Sequence, residues 1–343
     1  MISVGIIGGS GYTGKYLVKF CLNHPDIDNV KIYGHSTAGM TLHKIFPELV
    51  NQFSDQAILD SGNISFEHDV YFIALPHGEA LNYVPKLTEK NKIVIDLGGD
   101  YRLNDEEEYY EWYKINHTSP GLLQLKTYGL ADYFDVSFYR SNLIANPGCY
   151  PTATLLGLLP LTEIFADNIM SASTAAYSGT SGAGKSGKTE LSLSEMDGNV
   201  RAYNVNAHRH QPEIEQMLKQ FGFNSPYSFT THLLPVTSGI YATTTVFLYS
   251  EISKDKITEI YKDKYADSSF VRLRDVPPNL RWVTGTNFCD INVSVNKNVV
   301  VITSAIDNLI KGASGQAVQN MNKILNLNES AGLLKGALNV SVY

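Results

Sequence analysis

The amino-acid sequence predicts an α/β protein in which a Rossmann-type domain with a parallel sheet is joined to an α+β domain with a mixed sheet. Three observations favour this class. Strand-like and helix-like patterns alternate over the first third of the chain, and β-branched runs dominate the second half. At 343 residues the chain is also longer than one hydrophobic core usually covers, which favours two domains.

The first third contains short apolar runs that are typical of buried strands: SVGIIGG, VKIYGH, VYFIALP and KIVIDLG. Between the first two, residues 14–24 have apolar side chains at helical spacing, and Pro25 ends that pattern. The acidic stretch NDEEEYYEW, which begins at Asn104, favours a surface helix. Strands that alternate with helices in this way pack as a parallel, doubly wound sheet.

The pattern changes in the second half of the chain. The segments YATTTVFLYSE, TNFCDINVSVN and NVVVITSAID are rich in β-branched residues and indicate a mixed or antiparallel sheet. The later segment GASGQAVQNMNKILNL predicts a helix, with Val318, Met321 and Leu325 on one face. These segments form the second predicted domain and one further helix.

The composition limits the class of partner. A net charge of −7 and a pI near 5.7 argue against a nucleic-acid or anionic-membrane surface. No run of about 18 apolar residues and no signal peptide appear, so we expect a cytoplasmic protein. Cys21, Cys149 and Cys289 are odd in number and widely spaced, which predicts free thiols rather than a disulfide framework or a zinc site.

The stretch GIIGGSGYTGKYL places Gly8, Gly11 and Gly14 between the first strand and the first helix. Glycines in this context allow a tight turn and let a pyrophosphate approach the helix N-terminus, which predicts a dinucleotide site. A glycine turn without a ligand is the alternative. No acidic residue lies between Ile32 and Gly39, whereas His35 and Ser36 could donate to a 2′-phosphate. This favours NADP over NAD.

Cys149 follows a Pro-Gly turn and precedes a helix that we expect to begin near Pro151. The positive end of a helix dipole and free backbone N–H groups favour a thiolate there, and the thiolate is the nucleophile. Asn146 and Thr152 add polar neighbours. A structural buried cysteine is the alternative, and Cys21 fits that alternative better.

His208 and His210 precede a helix that we expect to begin near Pro212, with Glu213 in its first turn. A cysteine nucleophile needs a group that moves protons near neutral pH, and imidazole titrates in that range. We favour His210 because it lies nearer Glu213, which could orient the imidazole or hold it protonated. A zinc site formed by the H-x-H pair and histidines hydrogen-bonded at the surface are the alternatives.

The segment GTSGAGKS, which runs from Gly179 to Ser186, matches the Walker A pattern. A P-loop requires a buried strand before it, and the preceding SASTAAYS is too small and polar for one. Gly187 is a poor first-turn residue, and no later strand ends in a magnesium-binding Asp. We therefore do not predict an NTPase, although the loop could hold a phosphate or carboxylate through its backbone N–H groups.

A dinucleotide loop, an activated thiol, a nearby histidine and an anion-binding loop together indicate reductive dephosphorylation of an acyl phosphate. The chain resembles the N-acetyl-γ-glutamyl-phosphate reductase family, relatives of aspartate-semialdehyde dehydrogenase. The segments that carry the resemblance span nearly the whole sequence: GIIGGSGYTG, FPEL, ALPHGEA, DLGGDYRL, NPGCYPTA, SGTSGAGK, AYNVNAHRHQPEI, FTTHLLPVTSGI, GTNFCDI and AIDNLIKGASGQAVQNMN.

The resemblance implies NADPH-dependent formation of N-acetylglutamate 5-semialdehyde through a cysteine thioester, as a step of arginine biosynthesis. It implies an NADP domain of residues 1–148 and 312–343, a catalytic and oligomerisation domain of residues 149–311, and a homodimer or homotetramer. It implies Cys149 as nucleophile, His210 as acid/base and Glu213 as its support. Expected NADP contacts are Gly8, Ser10, Gly11, Tyr12, Thr13, Gly14, Ser36, Pro76, His77 and Asn308. Expected substrate contacts are Arg102, Asn146, Ser178, Ser181 and Lys185.

Three departures from the family pattern concern the substrate side. Lys185 stands where the family often has Arg, which keeps the charge and loses bidentate geometry. Ser238 stands where a basic residue is common, and YGLADYFD replaces a more usual YGLPE segment. The alternatives within the same chemistry are therefore N-succinyl-glutamyl phosphate, a carrier-bound aminoadipyl phosphate or aspartyl phosphate. A non-catalytic dinucleotide-binding protein and a P-loop NTPase are the alternatives from other classes.

Overall fold

The computed structural model describes residues 1–185 and 189–334, apart from the side chain of Leu193. The chain divides into two compact units. The first contains Met1–Pro147 and the segment from Ala313 on, and the second contains Gly148–Gly312. Residues 335–343, which the sequence analysis assigns to the first domain, and Ser186 of the Walker A pattern lie outside the described residues.

The described residues form α-helices and β-strands in both units. The α-helices are α1 (Tyr12–Leu22), α2 (Leu42–Ile45), α3 (Val84–Glu89), α4 (Glu106–Tyr113), α5 (Cys149–Phe165), α6 (Leu193–Met196), α7 (His210–Gln220), α8 (Lys254–Lys264) and α9 (Gly315–Ile324). The β-strands are β1 (Ile2–Ile7), β2 (Ile27–Gly34), β3 (Leu59–Asp60), β4 (Val70–Ile73), β5 (Ile93–Asp96), β6 (Thr127–Tyr128), β7 (Leu143–Ala145), β8 (Ile169–Ser178), β9 (Arg201–Tyr203), β10 (Tyr227–Leu233), β11 (Ile240–Leu248), β12 (Val271–Leu273), β13 (Cys289–Asn296) and β14 (Val299–Ile306).

The first unit contains a seven-stranded sheet with the order β3-β2-β1-β4-β5-β7-β6. All of its strand pairs are parallel. All four residues of β4 are buried, which explains why that strand is a continuous apolar run rather than an alternating one. The strand order reverses direction between β1 and β4, and ligands of open α/β sheets bind beyond the carboxyl ends of the strands at such a point.

Helix α9 returns the chain to the first unit, where it packs against α1. Residues 315–322 are buried, although several of them are polar. Their polar groups have protein partners: Asn320 Nδ2 donates to the carbonyl of Gly129 at 2.8 Å, and Asn322 Oδ1 lies 2.9 Å from His24 Nε2. These hydrogen bonds offset the cost of burying the amide side chains.

The second unit contains a mixed seven-stranded sheet with the order β12-β13-β14-β11-β8-β10-β9. Strands β8 and β10 are parallel, whereas β11 pairs antiparallel with both β8 and β14. The two sheets confirm the predicted fold class. SASTAAYS forms most of β8, in the middle of this sheet, but it is not a fully buried parallel strand, because it pairs antiparallel with β11. Only alternate residues of β8 are fully buried, so small and polar side chains are accommodated there.

Helix α5 is the core helix of the second unit and packs against β11, β14, α7 and α8. Its internal Pro160 has no N–H to donate to the carbonyl of Leu156, and the Tyr265 hydroxyl donates to that carbonyl instead, at 2.5 Å. By length and composition alone the stretch Cys149–Asn168 could cross a membrane, but 72% of its apolar 18-residue window is buried inside the protein, as in the core helix of a globular domain.

Candidate active site

The glycine loop of the first unit has the geometry that a dinucleotide site requires. Gly8 adopts φ +87°, and a Cβ there would lie 2.4 Å from the carbonyl oxygen of Ala74. A Cβ on Gly14 would lie 2.6 Å from the Gly8 oxygen, so α1 packs directly on the turn. A Cβ on Gly11, the N-cap of α1, would meet nothing within 4 Å. The loop therefore combines a tight turn with open space at a helix N-terminus.

We predict that alanine at Gly8 lowers the stability of the protein, whereas alanine at Gly11 weakens nucleotide binding. Gly8→Ala is expected to destabilise the protein by about 3 kcal/mol, because of the positive φ and the contact with Ala74. Gly11→Ala is expected to leave the unfolding free energy within about 1 kcal/mol of wild type but to weaken nucleotide binding about tenfold or more. Urea unfolding and cofactor titration measure the two effects, and equal destabilisation by both variants would contradict this assignment.

The other predicted nucleotide contacts of this unit surround the loop. Ser10 and Thr13 are half-buried, Tyr12 is 41% exposed, and His35 and Ser36 after β2 are exposed. Strand β3 also brings Asp60 opposite Gly34 at the end of β2, which the sequence analysis did not anticipate. The Asp60 carboxylate accepts from Gly62 N and Asn63 Nδ2, both at 3.1 Å, and is thereby held by its own turn.

The turn after β4 is fixed by a buried carboxylate. Asp100 accepts from the Gly78 N–H at 2.7 and 2.9 Å, from the Ala80 N–H at 3.2 Å and from the Tyr109 hydroxyl at 2.8 Å. The Gly99 N–H donates to His77 Nδ1 at 3.0 Å, so a neutral His77 ring carries its hydrogen on Nε2. Pro76 is exposed beside it. Asp100, which the sequence analysis did not select, therefore positions His77.

Arg102 and Asn146, both predicted substrate contacts, have protein partners. Arg102 is 5% exposed, and its Nε and Nη2 donate to the carbonyls of Asn146 and Leu97 at 2.9 and 2.7 Å. Asn146 is fully buried; its Nδ2 donates to the Ala313 carbonyl at 3.2 Å and its Oδ1 accepts from Asn320 at 3.0 Å. A substrate anion would have to share these donors, so substrate contact by either residue stays a prediction.

Cys149 is the first residue of α5, two positions earlier than predicted. It is half-buried, whereas Cys21 and Cys289 are buried, and burial raises the pKa of the Cys21 thiol. Helix α5 has no side-chain cap, and the Thr152 N–H donates to the Gly148 carbonyl. The thiol therefore lies at the positive end of a 17-residue helix, where the dipole favours the thiolate.

Glu213 contacts the backbone next to the nucleophile. Its side chain is fully buried, and Oε1 accepts from the Gly148 N–H at 2.8 Å. The predicted role of this carboxylate, to orient an imidazole, stays a prediction, and the hydrogen bond to Gly148 adds a second role because it connects α7 to the residue before Cys149. Glu213 therefore positions the turn that carries the thiol.

We predict a graded response to replacement of Glu213. Gln keeps an oxygen acceptor for the Gly148 N–H, whereas Ala leaves that buried donor unsatisfied, at a cost of about 1–3 kcal/mol. The Ala variant should therefore be less stable than the Gln variant by about that amount in urea unfolding. Glu215→Ala on the same helix is the control, since Glu215 bonds only within α7, to Gln211. Equal stabilities of the Gln and Ala variants would contradict the role of this hydrogen bond.

The two histidines differ in their surroundings. His208 Nδ1 accepts from the His210 N–H at 3.1 Å, and burial, followed by the Arg209 charge, lowers the pKa of His208 to about 4. His210 is the first residue of α7, one turn before Glu213. Its ring lies 5.9 Å from the ring of Tyr150, the residue after Cys149. These surroundings favour His210 as the group that exchanges protons.

The loop from Ser178 to Lys185 is not an anion cradle of the predicted kind. The N–H groups of Gly179, Thr180 and Ser181 donate to the carbonyls of residues 239, 236 and 237, each at 2.9 Å. The Gly182 and Gly184 N–H groups donate within the loop. The expectation that backbone N–H groups here bind a phosphate is therefore wrong for these five. The segment Thr180–Ala183 is a short 3₁₀ turn, and the side chain of Lys185 is exposed.

Asn308, predicted near the nicotinamide, joins this loop to the next one. It is 3% exposed; Oδ1 accepts from the Gly239 N–H at 2.6 Å, and Nδ2 donates to Ser181 Oγ at 3.1 Å. Ser178 is also buried and donates to the Gly179 carbonyl at 2.9 Å. The predicted contacts Ser178 and Ser181 are therefore parts of a packed pair of loops, and their binding roles stay predictions.

A residue that the sequence analysis missed lies directly against the nucleophile. A Cβ on Gly312 would lie 2.7 Å from Cys149 Cβ and 3.1 Å from Cys149 Cα. Gly312 belongs to the π-helical segment Ile310–Ser314 that follows β14. The only sequence signal was its place in the segment AIDNLIKGASGQAVQNMN. The absence of a side chain at 312 leaves room for the first turn of α5.

No group of three or more His, Cys, Asp or Glu side chains within residues 1–185 and 189–334 is arranged to hold a metal ion. This includes the His208–His210 pair, for which a zinc site was one alternative in the sequence analysis.

Comparisons with known proteins agree with this combination of a parallel-sheet unit and a thiol-bearing unit. Residues 3–141 match the family model described as semialdehyde dehydrogenase, NAD binding domain, and residues 149–308 match semialdehyde dehydrogenase, dimerisation domain. The fold and the site therefore define an oxidoreductase of the semialdehyde dehydrogenase class with an NAD(P)-binding domain.

Relatives that match nearly the whole chain identify the family within this class. The N-acetyl-gamma-glutamyl-phosphate reductase of Pelodictyon phaeoclathratiforme is 41% identical over 97% of this chain and 99% of its own length. That of Shouchella clausii is 40% identical over 97% and 98%. The chain belongs to the N-acetyl-γ-glutamyl-phosphate reductase family. The predicted family and enzyme class are thereby confirmed.

Solved structures show the same fold at low identity. Aspartate semialdehyde dehydrogenase II of Vibrio cholerae, complexed with ASA, has a TM-score of 0.71 at 16% identity and covers 95% of this chain and 98% of its own. Aspartate semialdehyde dehydrogenase of Candida albicans, with NADP, has a TM-score of 0.67 at 14% identity and covers 95% and 98%. At these identities the comparison supports the fold alone.

Proposed function

We propose that this protein reduces N-acetyl-γ-glutamyl phosphate to N-acetylglutamate 5-semialdehyde with NADPH, through a thioester on Cys149, as a cytoplasmic step of arginine biosynthesis. The observation that carries the proposal is the position of Cys149, half-buried at the N-terminus of α5 and tied to α7 through the Gly148–Glu213 hydrogen bond. Family membership over 97% of the chain supports the substrate class.

The residues of the second unit account for the acyl-transfer chemistry. The Cys149 thiolate attacks the acyl carbon, the C–S bond forms, and the C–O bond to phosphate breaks. His210 donates a proton to the departing phosphate and is reprotonated from solvent. After reduction of the thioester the C–S bond breaks, the aldehyde leaves, and the thiolate is regenerated. Glu213 holds the Gly148 backbone, so the sulfur keeps its position through both bond changes.

The loop of the first unit fits a bound dinucleotide, which would supply the hydride that reduces the thioester. Gly8 and Gly14 form the turn, and the open space at Gly11 would admit the pyrophosphate at the N-terminus of α1. Ser10, Tyr12 and Thr13 line the same helix start. His77, held by the Gly99 N–H, and Pro76 follow β4, the strand across the reversal point from β1.

We propose NADP rather than NAD because no acidic side chain follows β2 directly and Ser36 is exposed there. Wild type is expected to prefer NADPH, and Ser36→Glu is expected to reverse that order, because a carboxylate repels a 2′-phosphate and accepts from a ribose hydroxyl. Steady-state kcat/KM with each cofactor measures this. Ser36→Ala is the control that removes the hydroxyl without adding charge. A wild-type preference for NADH would reject the proposal.

We further propose that the second unit forms a homodimer, or a pair of dimers, through its sheet. In β11 the side chains of Ile240, Ala242 and Val246 are buried on the face that packs on α5, whereas Tyr241 is half-buried and Phe247 is 41% exposed. A sheet face this exposed and partly apolar is suited to self-association. The matched dimerisation-domain model supports the same assignment. Light scattering measures the molecular mass in solution. Wild type should have the mass of a dimer or tetramer, and Phe247→Glu should have a smaller mass.

The acyl group is tested in the reverse direction. Incubation with N-acetylglutamate 5-semialdehyde, NADP and phosphate should reduce the cofactor, and omission of phosphate should abolish turnover. The semialdehydes of N-succinylglutamate, carrier-bound aminoadipate and aspartate are the competing substrates. Faster turnover of any of these would replace N-acetyl as the preferred group, and ATP hydrolysis by the same sample would restore the NTPase alternative.

A further inference from the structure

A chain of side-chain hydrogen bonds begins at the residue after the nucleophile. The hydroxyls of Tyr150 and Tyr203 lie 2.9 Å apart, and Tyr150 also donates to the carbonyl of His232 at 3.3 Å. The Tyr203 hydroxyl lies 3.4 Å from His208 Nε2, and His208 Nδ1 accepts from the His210 N–H at 3.1 Å. The chain therefore connects the first turn of α5 to the first residue of α7.

The His232 carbonyl and the His210 N–H, at the two ends of this chain, determine which group donates in each of its hydrogen bonds. The His232 carbonyl can only accept, so Tyr150 gives it its single hydroxyl hydrogen and accepts from Tyr203. Tyr203 has then used its own hydrogen and accepts from His208 Nε2–H. At the other end the His210 N–H can only donate, which requires an unprotonated Nδ1 on His208. A neutral His208 with its hydrogen on Nε2 is the state that satisfies all four links.

We infer that His208 is a positioning residue of this enzyme, which holds the backbone of His210 and, through Tyr203 and Tyr150, the helix turn that carries Cys149. The inference rests on the proposed function, because it assigns proton exchange to His210. Glu213 holds Gly148 from the same helix α7. The residues on both sides of Cys149 in the sequence are thus tied to the segment that bears His210.

Packing supports the same role. The His208 ring lies 5.2 Å from that of Tyr150, 5.5 Å from that of Tyr203 and 5.9 Å from that of Phe229, each in an edge arrangement. Edge contacts at these distances are favourable and fix ring orientation. Burial and the adjacent Arg209 lower the pKa of His208, which keeps the ring neutral at physiological pH. Both ring nitrogens are engaged, so His208 itself is poorly placed to exchange a proton with substrate.

Replacement of His208 by Asn and by Ala separates positioning from proton transfer. Asn keeps a side-chain acceptor for an N–H two residues on, as in an Asx turn, whereas Ala keeps none. We expect His208→Asn to retain kcat within about threefold of wild type and His208→Ala to lose about tenfold or more in kcat, with the KM for NADPH unchanged in both. Iodoacetamide labelling of Cys149, followed by mass spectrometry, should slow in the Ala variant in parallel.

Tyr203→Phe keeps the His210 contact but breaks the chain, so its effect and that of His208→Asn should be less than additive in the double variant. Tyr227→Phe is the matched control, because it removes a partly buried tyrosine hydroxyl bond, to Thr174 at 3.0 Å, elsewhere in the same sheet. ¹⁵N-histidine NMR at pH 7 should show the Nε2–H tautomer for His208. If His208→Ala does not fold, the inference is still tested by the kcat of His208→Asn, by the effect of Tyr203→Phe and by the tautomer of His208.

A His208→Asn variant as inactive as His210→Asn, with normal Cys149 labelling, would overturn the inference, because the imidazole itself would then be required. An Nδ1–H or protonated His208 at pH 7 would overturn it as well. The proposed function fails separately: wild type without reductase activity, but with the expected tautomer and labelling rates, would reject the reaction and leave the hydrogen-bond chain intact.

Discussion

Replacing Cys149 with serine is expected to lower kcat/KM for acyl-phosphate reduction by about 10³-fold or more. A serine hydroxyl is not ionised at neutral pH, and the helix dipole that favours a thiolate does too little to change that. The variant should fold normally because the two side chains are nearly isosteric and the site is only half-buried. Steady-state kinetics and thermal unfolding measure the two quantities.

Mass spectrometry of the wild type mixed with acyl phosphate, without cofactor, should trap an adduct on Cys149 that the serine variant lacks. Cys21→Ser and Cys289→Ser are the matched controls. Both thiols are buried, so these variants should lose stability but keep their activity per folded molecule. Full activity of Cys149→Ser would reject the thioester mechanism.

Gly312→Ala is expected to have the second largest effect. The added methyl would lie 2.7 Å from Cys149 Cβ, so the first turn of α5 or the segment Ile310–Ser314 must shift. A displacement of about 1 Å at a reacting atom costs about 10²-fold in rate, and overpacking costs about 1–3 kcal/mol in stability. Kinetics and urea unfolding of the variant measure both effects.

Gly157→Ala is the matched control for this prediction. Gly157 lies two turns further along the same helix, and a Cβ there would lie 3.1 Å from a methyl group of Ile302. We expect Gly157→Ala to change stability but to leave kcat and the labelling rate of Cys149 within about twofold of wild type, since it overpacks the core away from the thiol. Equal activity losses in both variants would show that Gly312 acts through stability alone.

The fold class could be predicted because its signals are local. The strand and helix patterns of the first unit, the glycine loop and the β-branched runs each lie within about 10–15 neighbouring residues, the range over which periodicity is informative. Helix starts were less accurate: α5 begins at Cys149 and α7 at His210, each two residues before the proline that was used to predict it. Proline is tolerated throughout the first turn, so it marks a helix start only approximately.

The errors at the site have a common physical cause, since they depend on contacts between distant segments. The N–H groups of residues 179–181 face the 236–239 segment, which no local pattern reveals. Glu213 accepts a hydrogen bond from Gly148, 65 residues away, which no local pattern reveals. The choice of His210 over His208 rested on spacing to Glu213. The structure supports that choice for another reason, the engagement of both His208 ring nitrogens.

The paired loops have a consequence for the engineering of acyl specificity. Residues 178–184 and 236–239 share their backbone hydrogen bonds, and the Asn308 amide joins the two. A graft of one loop from a relative with a different substrate would leave donors of the other without acceptors. Both segments and residue 308 would have to be transplanted together as a single cassette, and the Gly148–Glu213 hydrogen bond, which lies outside both segments, could stay unchanged.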